Sequence, residues 1–118
     1  MIMDSSPEHI CADEVTISKK EYGLPSSDVL LKMCNIFKSL QSETRLNILF
    51  LLSNNDLCVR ELELRLGVSQ SAISHSLRLL RQLDLVRVKK EGRFAVYSIA
   101  DKHVEQLINV CQEHVLEE

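Results

Sequence analysis

Residues 59–80, VRELELRLGVSQSAISHSLRLL, decide the fold. Leu62 and Leu66 are four residues apart, a spacing that predicts a short helix over roughly Val59–Leu66. Gly67 follows directly, and glycine tolerates the positive φ that the end of a helix often requires. The first half of the stretch therefore predicts a short helix that ends in a tight turn.

The second half of the stretch predicts another helix, roughly Gln70–Gln82, with Ser69 placed to cap its N-terminus. Its apolar residues recur at helical spacing on one face, namely Ile73, Leu77 and Leu80. Two short helices joined by a glycine-containing turn form a helix-turn-helix unit.

A change of period after Leu85 predicts a β-hairpin. Val86 and Val88 alternate with Arg87 and Lys89, and the apolar residues Ala95, Tyr97 and Ile99 alternate beyond a turn at residues 90–93. A hairpin directly after a helix-turn-helix predicts a winged helix-turn-helix. The fold class is then mainly α with a β-hairpin wing.

Further helices are predicted over Asp28–Leu40, after a cap at Ser42, and over Lys102–Leu116, so that the order is α-α-α-α-β-β-α. A turn cluster at 53–56 ends the second helix. The polar, acidic residues before the first helix predict a mobile arm. The expected division is an N-terminal arm, 1–23, and a winged helix-turn-helix DNA-binding and dimerisation domain, 24–118.

Composition fits one compact soluble domain of 118 residues, but the net charge of −3 argues at first against a nucleic-acid binder. The charge is unevenly distributed: residues 69–100 carry a net +4, whereas residues 1–22 carry −3 and residues 101–118 carry −4.

The sequence shows no secretory signal and no apolar run of membrane-spanning length, so we expect a cytoplasmic protein. The four cysteines form no C-x-x-C pair, and free thiols are expected.

The basic segment predicts a surface that binds double-stranded DNA. Short polar side chains near a helix N-terminus let the backbone approach the major groove, and basic side chains further along reach phosphates. Each residue alone would be an ordinary solvated side chain, but their combination in one segment favours DNA. The predicted contacts are Gln70, Ser71, Ser74, His75, Arg78, Arg81, Arg87, Lys89, Lys90 and Arg93.

Several motifs resemble the ArsR/SmtB family of winged-helix, metal-sensing repressors. They are LQSETRLNIL at 40–49, LCVREL at 57–62, SQSAISHSLRLL at 69–80, and Gly92-Arg93 with Tyr97. The resemblance implies a homodimer that binds a palindromic operator and leaves it when an inducer binds. Two-fold symmetry would place the two reading helices roughly 34 Å apart.

The last helix carries Asp101, His103, His114 and Glu117, which match the family's metal site in type and spacing. The two histidines are eleven residues apart, about 20° around a helix but about 16 Å along it. One chain therefore cannot hold one ion with both. An antiparallel pair of these helices in a dimer would form two sites that suit Zn²⁺, with Co²⁺ or Cd²⁺ as related divalent metals. Alternatively, Asp101 is only an N-cap and the others are surface residues.

A second site in some family members lies near the third helix, where Cys58 occupies the matching position. Arg60 stands where some members have another cysteine, so the match is partial. The set at this possible second site is His9, Cys11, Cys58 and Glu61. A structural Cys58 is the open alternative, and Cys34 and Cys111 are expected to pack as small apolar residues.

The sequence thus predicts a zinc-responsive repressor, with a repressor that senses a soft metal or thiol oxidation through Cys11 and Cys58 as the alternative. An enzyme is not expected, because the chain has no H-E-x-x-H motif and no recognisable nucleophile and base. No membrane and no small-molecule substrate are expected as partners.

Overall fold

The structure, a computed structural model, describes residues 22–117. Most of the predicted arm, including His9 and Cys11, lies outside these residues. Five helices and three strands follow in the order α1 Ser27–Ser39, α2 Glu43–Asn54, β1 Leu57–Cys58, α3 Val59–Leu66, α4 Gln70–Gln82, β2 Val86–Glu91, β3 Phe94–Ile99 and α5 Lys102–Leu116. The chain divides into two compact units at residue 32, and the unit that begins at Met33 holds the core described below.

The helix ends follow the predicted capping residues. The Ser42 hydroxyl accepts a hydrogen bond from the Arg45 N–H at 3.2 Å, and Ser69 accepts one from the Ala72 N–H at 3.2 Å. Gly67 ends α3 with φ +68°, the left-handed region that favours glycine. These caps fix where α3 and α4 begin and end, and so fix the helix-turn-helix.

The sheet has one strand more than predicted. β1 pairs antiparallel with β3, Leu57 opposite Tyr97, so the strand order is β1-β3-β2. Two residues are too few to show an alternating pattern, which explains why the sequence did not predict β1. The hairpin loop is also shorter than predicted, because β2 runs to Glu91 and β3 starts at Phe94.

The core packs the inner face of α4 against α2 and α3. Ile73, Leu77 and Leu80 of α4 are at most 1% exposed, as the helical spacing predicted. The remaining fully buried side chains of this core are Ile48, Leu49 and Leu62. Burial of each such side chain stabilises the fold by roughly 1.5–3 kcal/mol, so the apolar face sets the orientation of α4.

The apolar face of α5 belongs in part to the chain's own core. Val104 and Ile108 are buried there, because α5 packs on α2 and β3. One expectation about the cysteines is corrected. Cys34 and Cys111 do not pack in the core and are exposed.

Within residues 22–117, no helix is long and apolar enough to span a membrane.

Candidate DNA-binding surface and metal ligands

All ten predicted DNA contacts are exposed side chains on α4 and the hairpin. In α4, burial of the apolar face turns the opposite face outward, with Gln70, Ser71 and Ser74 in its first turns. No acidic residue lies in the first turn, so the partial positive charge of the helix N-terminus is not offset there. We call these ten residues the reading surface.

The hairpin extends the reading surface beyond α4. Strand alternation places Arg87 and Lys89 on one face of β2 and Lys90 on the other, while Arg93 lies in the loop. Each strand has six residues, which is about 20 Å. Cations are thus spread along the whole length of the wing.

At the start of α5, Asp101 and His103 are brought together. Asp101 has extended backbone, and its Oδ1 atom accepts hydrogen bonds from the backbone N–H of His103 at 3.0 Å and of Val104 at 3.2 Å. The same oxygen lies 3.6 Å from Nδ1 of His103. The His103 side chain is 90% exposed, so its ring can reach an external ligand.

His114 and Glu117 lie at the other end of α5, where both are exposed. Their spacing of three residues puts them on one helix face. Among residues 22–117, no three His, Cys, Asp or Glu side chains are grouped closely enough to hold a metal ion. Of the four predicted ligands, the structure therefore brings Asp101 and His103 together and leaves His114 and Glu117 at the opposite end of α5.

Cys58 and Glu61 meet at the start of α3. The Glu61 carboxylate accepts a hydrogen bond from the Cys58 backbone N–H at 2.9 Å, an arrangement that caps the helix. This bond is the largest cause that lowers the pKa of Glu61 below its usual value. Both residues line a cleft of about 270 Å³, whereas His9 and Cys11, their predicted co-ligands, lie outside the described residues.

Two features of the surface were not predicted. One is an apolar groove of about 430 Å³ between α2 and α5, whose lining includes Leu46, Phe50 and Leu107. The apolar residues of α2 carry a signal for it, because more of them are present than one core-facing stripe needs. The other is Phe94, an exposed aromatic residue at the start of β3.

Comparisons with known proteins agree with this fold. Residues 42–88 match the family model described as bacterial regulatory protein, arsR family. A transcriptional repressor SmtB homolog from Synechocystis is 38% identical over 78% of this chain and 70% of its own length. A cadmium resistance transcriptional regulatory protein CadC homolog from Staphylococcus aureus is 33% identical over 90% of this chain and 86% of its own.

A solved structure from Mycobacterium bovis, described as a homodimeric winged helix-turn-helix DNA-binding domain, superposes with a TM-score of 0.73. It is 25% identical, and the match covers 88% of this chain and 91% of that one. These relatives are named as regulators, in agreement with the prediction that the chain is not an enzyme. The chain belongs to the ArsR/SmtB family of transcriptional repressors with a winged helix-turn-helix DNA-binding fold.

Proposed function

We propose that the chain is a homodimeric, metal-responsive repressor of the cytoplasm. Its winged helix-turn-helix domain, residues 24–118, binds a palindromic operator through the reading surface. The protein leaves the operator when Zn²⁺, or a related divalent metal, binds between the two α5 helices. The observation that carries the proposal is the pairing of Asp101 with His103 at one end of α5, with His114 and Glu117 exposed at the other.

The donor set fits zinc. Two imidazole nitrogens and two carboxylate oxygens are ligands that Zn²⁺ accepts in a tetrahedral site. Asp101 and His103 of one chain would bind together with the partner's His114 and the partner's Glu117, twice per dimer. The high exposure of His103 leaves its ring accessible to such a partner.

The apolar groove supports association with a second copy. Its lining residues come from Phe37 and Leu40, from α2, and from the outer side of α5, and most are apolar. Exposed Val110, Val115 and Leu116 continue the apolar surface of α5. Burial of apolar surface of this kind drives protein association. The Mycobacterium bovis relative, named as homodimeric, supports the same arrangement.

Metal binding and DNA binding are coupled because α5, which carries the proposed metal ligands, packs on the domain that carries the reading surface. A bound divalent ion would neutralise the carboxylates and connect the two α5 helices. Because α5 packs on α2 and β3, a fixed angle between the α5 helices fixes the angle between the two reading surfaces. The expected coupling is about 1–3 kcal/mol, and DNA must weaken metal binding by the same factor.

The test is operator binding with and without metal. A fluorescein-labelled duplex, selected from a random library by the metal-free chain, is titrated with protein at increasing Zn²⁺. We expect roughly a 5- to 150-fold loss of affinity at saturating Zn²⁺. The paired variant His103→Ala with His114→Ala should bind DNA normally and not respond. An unchanged affinity of the wild-type chain at saturating Zn²⁺ contradicts the proposal.

A second candidate is a repressor that senses a soft metal or thiol oxidation through Cys58 with Cys11. The cleft that places Cys58 beside the Glu61 carboxylate favours it, as does the similarity to the cadmium resistance regulator homolog of Staphylococcus aureus. Alkylation of the cysteines with iodoacetamide distinguishes the two candidates. A site made of histidine and carboxylate still responds to Zn²⁺ after alkylation, whereas a thiol sensor loses its response.

A further inference from the structure

A cleft of about 300 Å³ opens where the end of α1, the start of α2 and the end of α4 meet. One wall of the cleft is apolar and consists of Leu79 and Leu83 of α4. None of the lining residues belongs to the reading surface or to the proposed metal sites, so neither role accounts for the cleft. The rest of the lining is polar and contains no acidic residue, namely Asn35, Lys38, Ser39, Arg45 and Gln82.

Arg45 is held at the cleft by contacts to the ends of two helices. Its Nε–H donates a hydrogen bond to the Ser39 carbonyl oxygen at 2.6 Å, and its backbone N–H donates to the Ser42 hydroxyl at 3.2 Å. The side chain is half-buried. A guanidinium group has five N–H donors, so the bond to Ser39 leaves four on the two terminal nitrogens. The structural role of Arg45 at the α1–α2 corner therefore uses only one of its side-chain donors.

The cleft carries positive charge without a counter-charge. Lys38 lies in the last turn of α1. Among residues 22–117, no carboxylate is within ion-pair distance of Lys38 or Arg45. Glu43 and Asp84 adjoin the cleft in sequence, but both are exposed and neither lines it. Because the apolar wall reduces screening by water, the two cations should attract an anion more strongly than they would in open solvent.

The donors in the cleft suit a phosphate group. The planar fork of Arg45 can bind two oxygens of a phosphate or a carboxylate, and the Lys38 ammonium group adds a point charge. The side-chain amides of Asn35 and Gln82 supply further N–H donors. A carboxylate has only two oxygens, whereas a phosphate group presents at least three and can use the fork, the ammonium group and an amide together.

We propose that this cleft binds a phosphate group, with Arg45 and Lys38 as its charged contacts and Asn35 and Gln82 as further donors. Two sources share this chemistry, namely a small phosphate compound in solution and a backbone phosphate of the operator. Gln82 lies one turn beyond Arg78 of the reading surface, and both are exposed. The cleft therefore adjoins the reading surface at the C-terminal end of α4.

The first test titrates inorganic phosphate into the chain and follows the Arg45 Nε–H resonance by NMR. A chelator removes metal, so that the metal response has no part in the result, and KCl keeps the ionic strength constant. We expect a saturable shift for the wild-type chain. Lys38→Gln should bind phosphate roughly tenfold more weakly, because it removes one charge-assisted contact.

Lys32→Gln is the matched control. It makes the same change at an exposed position of α1 outside the cleft and should leave phosphate binding unchanged. Arg45→Lys keeps the charge without the fork and should also weaken binding, with circular dichroism as the check of its fold. Because the Lys38 side chain is exposed, the comparison of Lys38→Gln with Lys32→Gln does not depend on whether Arg45→Lys folds.

A second test distinguishes the two sources of phosphate. Affinity for the library-selected duplex is measured by anisotropy over a range of KCl concentrations, and the salt slope is the slope of log affinity against log salt. If an operator phosphate occupies the cleft, Lys38→Gln lowers the salt slope by about one and Lys32→Gln does not. If a small phosphate compound occupies it, the slope is unchanged and the Arg45 resonance still shifts with inorganic phosphate.

Two outcomes overturn the proposal. The first is an Arg45 resonance that does not shift with phosphate, together with an unchanged salt slope for Lys38→Gln. The second is phosphate binding of equal strength to Lys38→Gln and to the wild-type chain, because the phosphate would then bind elsewhere.

Discussion

The Oδ1 atom of Asp101 lies 3.6 Å from Nδ1 of His103 and at the same time accepts the backbone N–H groups of His103 and Val104. One carboxylate therefore caps α5 and stands beside a proposed metal ligand. The two roles have different requirements, because a cap needs an oxygen acceptor and a zinc site needs an anionic donor.

Asp101→Asn and Asp101→Ala separate the two roles. Asparagine caps about as well as aspartate, so Asp101→Asn should keep the metal-free stability within a few tenths of a kcal/mol, whereas Asp101→Ala should lose roughly 0.5–2 kcal/mol. Both variants should bind Zn²⁺ more weakly. Urea unfolding and zinc titration measure the two effects. If Asp101→Asn binds Zn²⁺ as wild type does, Asp101 is a cap and nothing more.

Leu77 and Leu64 provide a matched pair for the core. Leu77 is 1% exposed, so Leu77→Ala should leave a cavity and lower the free energy of unfolding by about 2–5 kcal/mol. Leu64→Ala makes the same chemical change at an exposed position and should cost under about 0.5 kcal/mol. Denaturant unfolding at one protein concentration checks both values. Similar losses for the two variants would mean that α4 does not pack as described.

Gln70 and Lys90 should contribute to DNA binding in different ways. Gln70 lies in the first turn of α4, so Gln70→Ala should weaken binding to the selected duplex but hardly affect a random duplex. Lys90→Ala should weaken both and lower the salt slope by about one. Competition with random duplex over a range of salt concentrations distinguishes the two effects. A loss that is equal on both duplexes for Gln70→Ala would contradict base readout by this residue.

Glu61 gives the stability a pH dependence at the start of α3. The hydrogen bond from the Cys58 N–H lowers the pKa of Glu61 from the usual 4.5, so the folded state binds this proton less readily than the unfolded state. Its stabilisation is present above pH 4.5 and is lost as pH falls through the lowered pKa. Glu61→Gln should therefore lose less stability between neutral and acidic pH. Urea unfolding across that range measures this difference, and identical pH profiles would contradict it.

The helix-turn-helix was predictable because α3 and α4 carry their own start and stop signals. Ser69 and Gly67 mark the ends, and the spacing of Ile73, Leu77 and Leu80 marks the buried face. β1 was not predictable, since Leu57 and Cys58 are ordered by pairing with a strand almost forty residues later. The burial of Val104 and Ile108 was not predictable for the same reason, because only the packed chain shows which side of α5 faces α2.

The candidate sites also differ in how far the sequence alone predicts them. The reading surface follows from local periodicity, which turns polar residues of α4 outward wherever its apolar face is buried. The pairing of Asp101 with His103 depends on the extended backbone at Asp101, which a continuous helix would not allow. The exposure of Phe94 could have been predicted, because the alternation of Ala95, Tyr97 and Ile99 on the core face of β3 places Phe94 on the opposite face.

Each proposed metal site uses both chains of the dimer, so two single variants should complement each other. His103→Ala and His114→Ala each remove one imidazole from every site of their own homodimer. In a mixed dimer, one site keeps His103 from one chain and the partner's His114, while the other site loses both.

The measurement is the anisotropy of the operator duplex with saturating Zn²⁺, for each variant alone and for the two after subunit exchange. We expect that neither variant alone is released from DNA by Zn²⁺ and that the mixture is released in part, in proportion to the mixed dimers formed. A mixture that stays on DNA as firmly as either variant alone would contradict it.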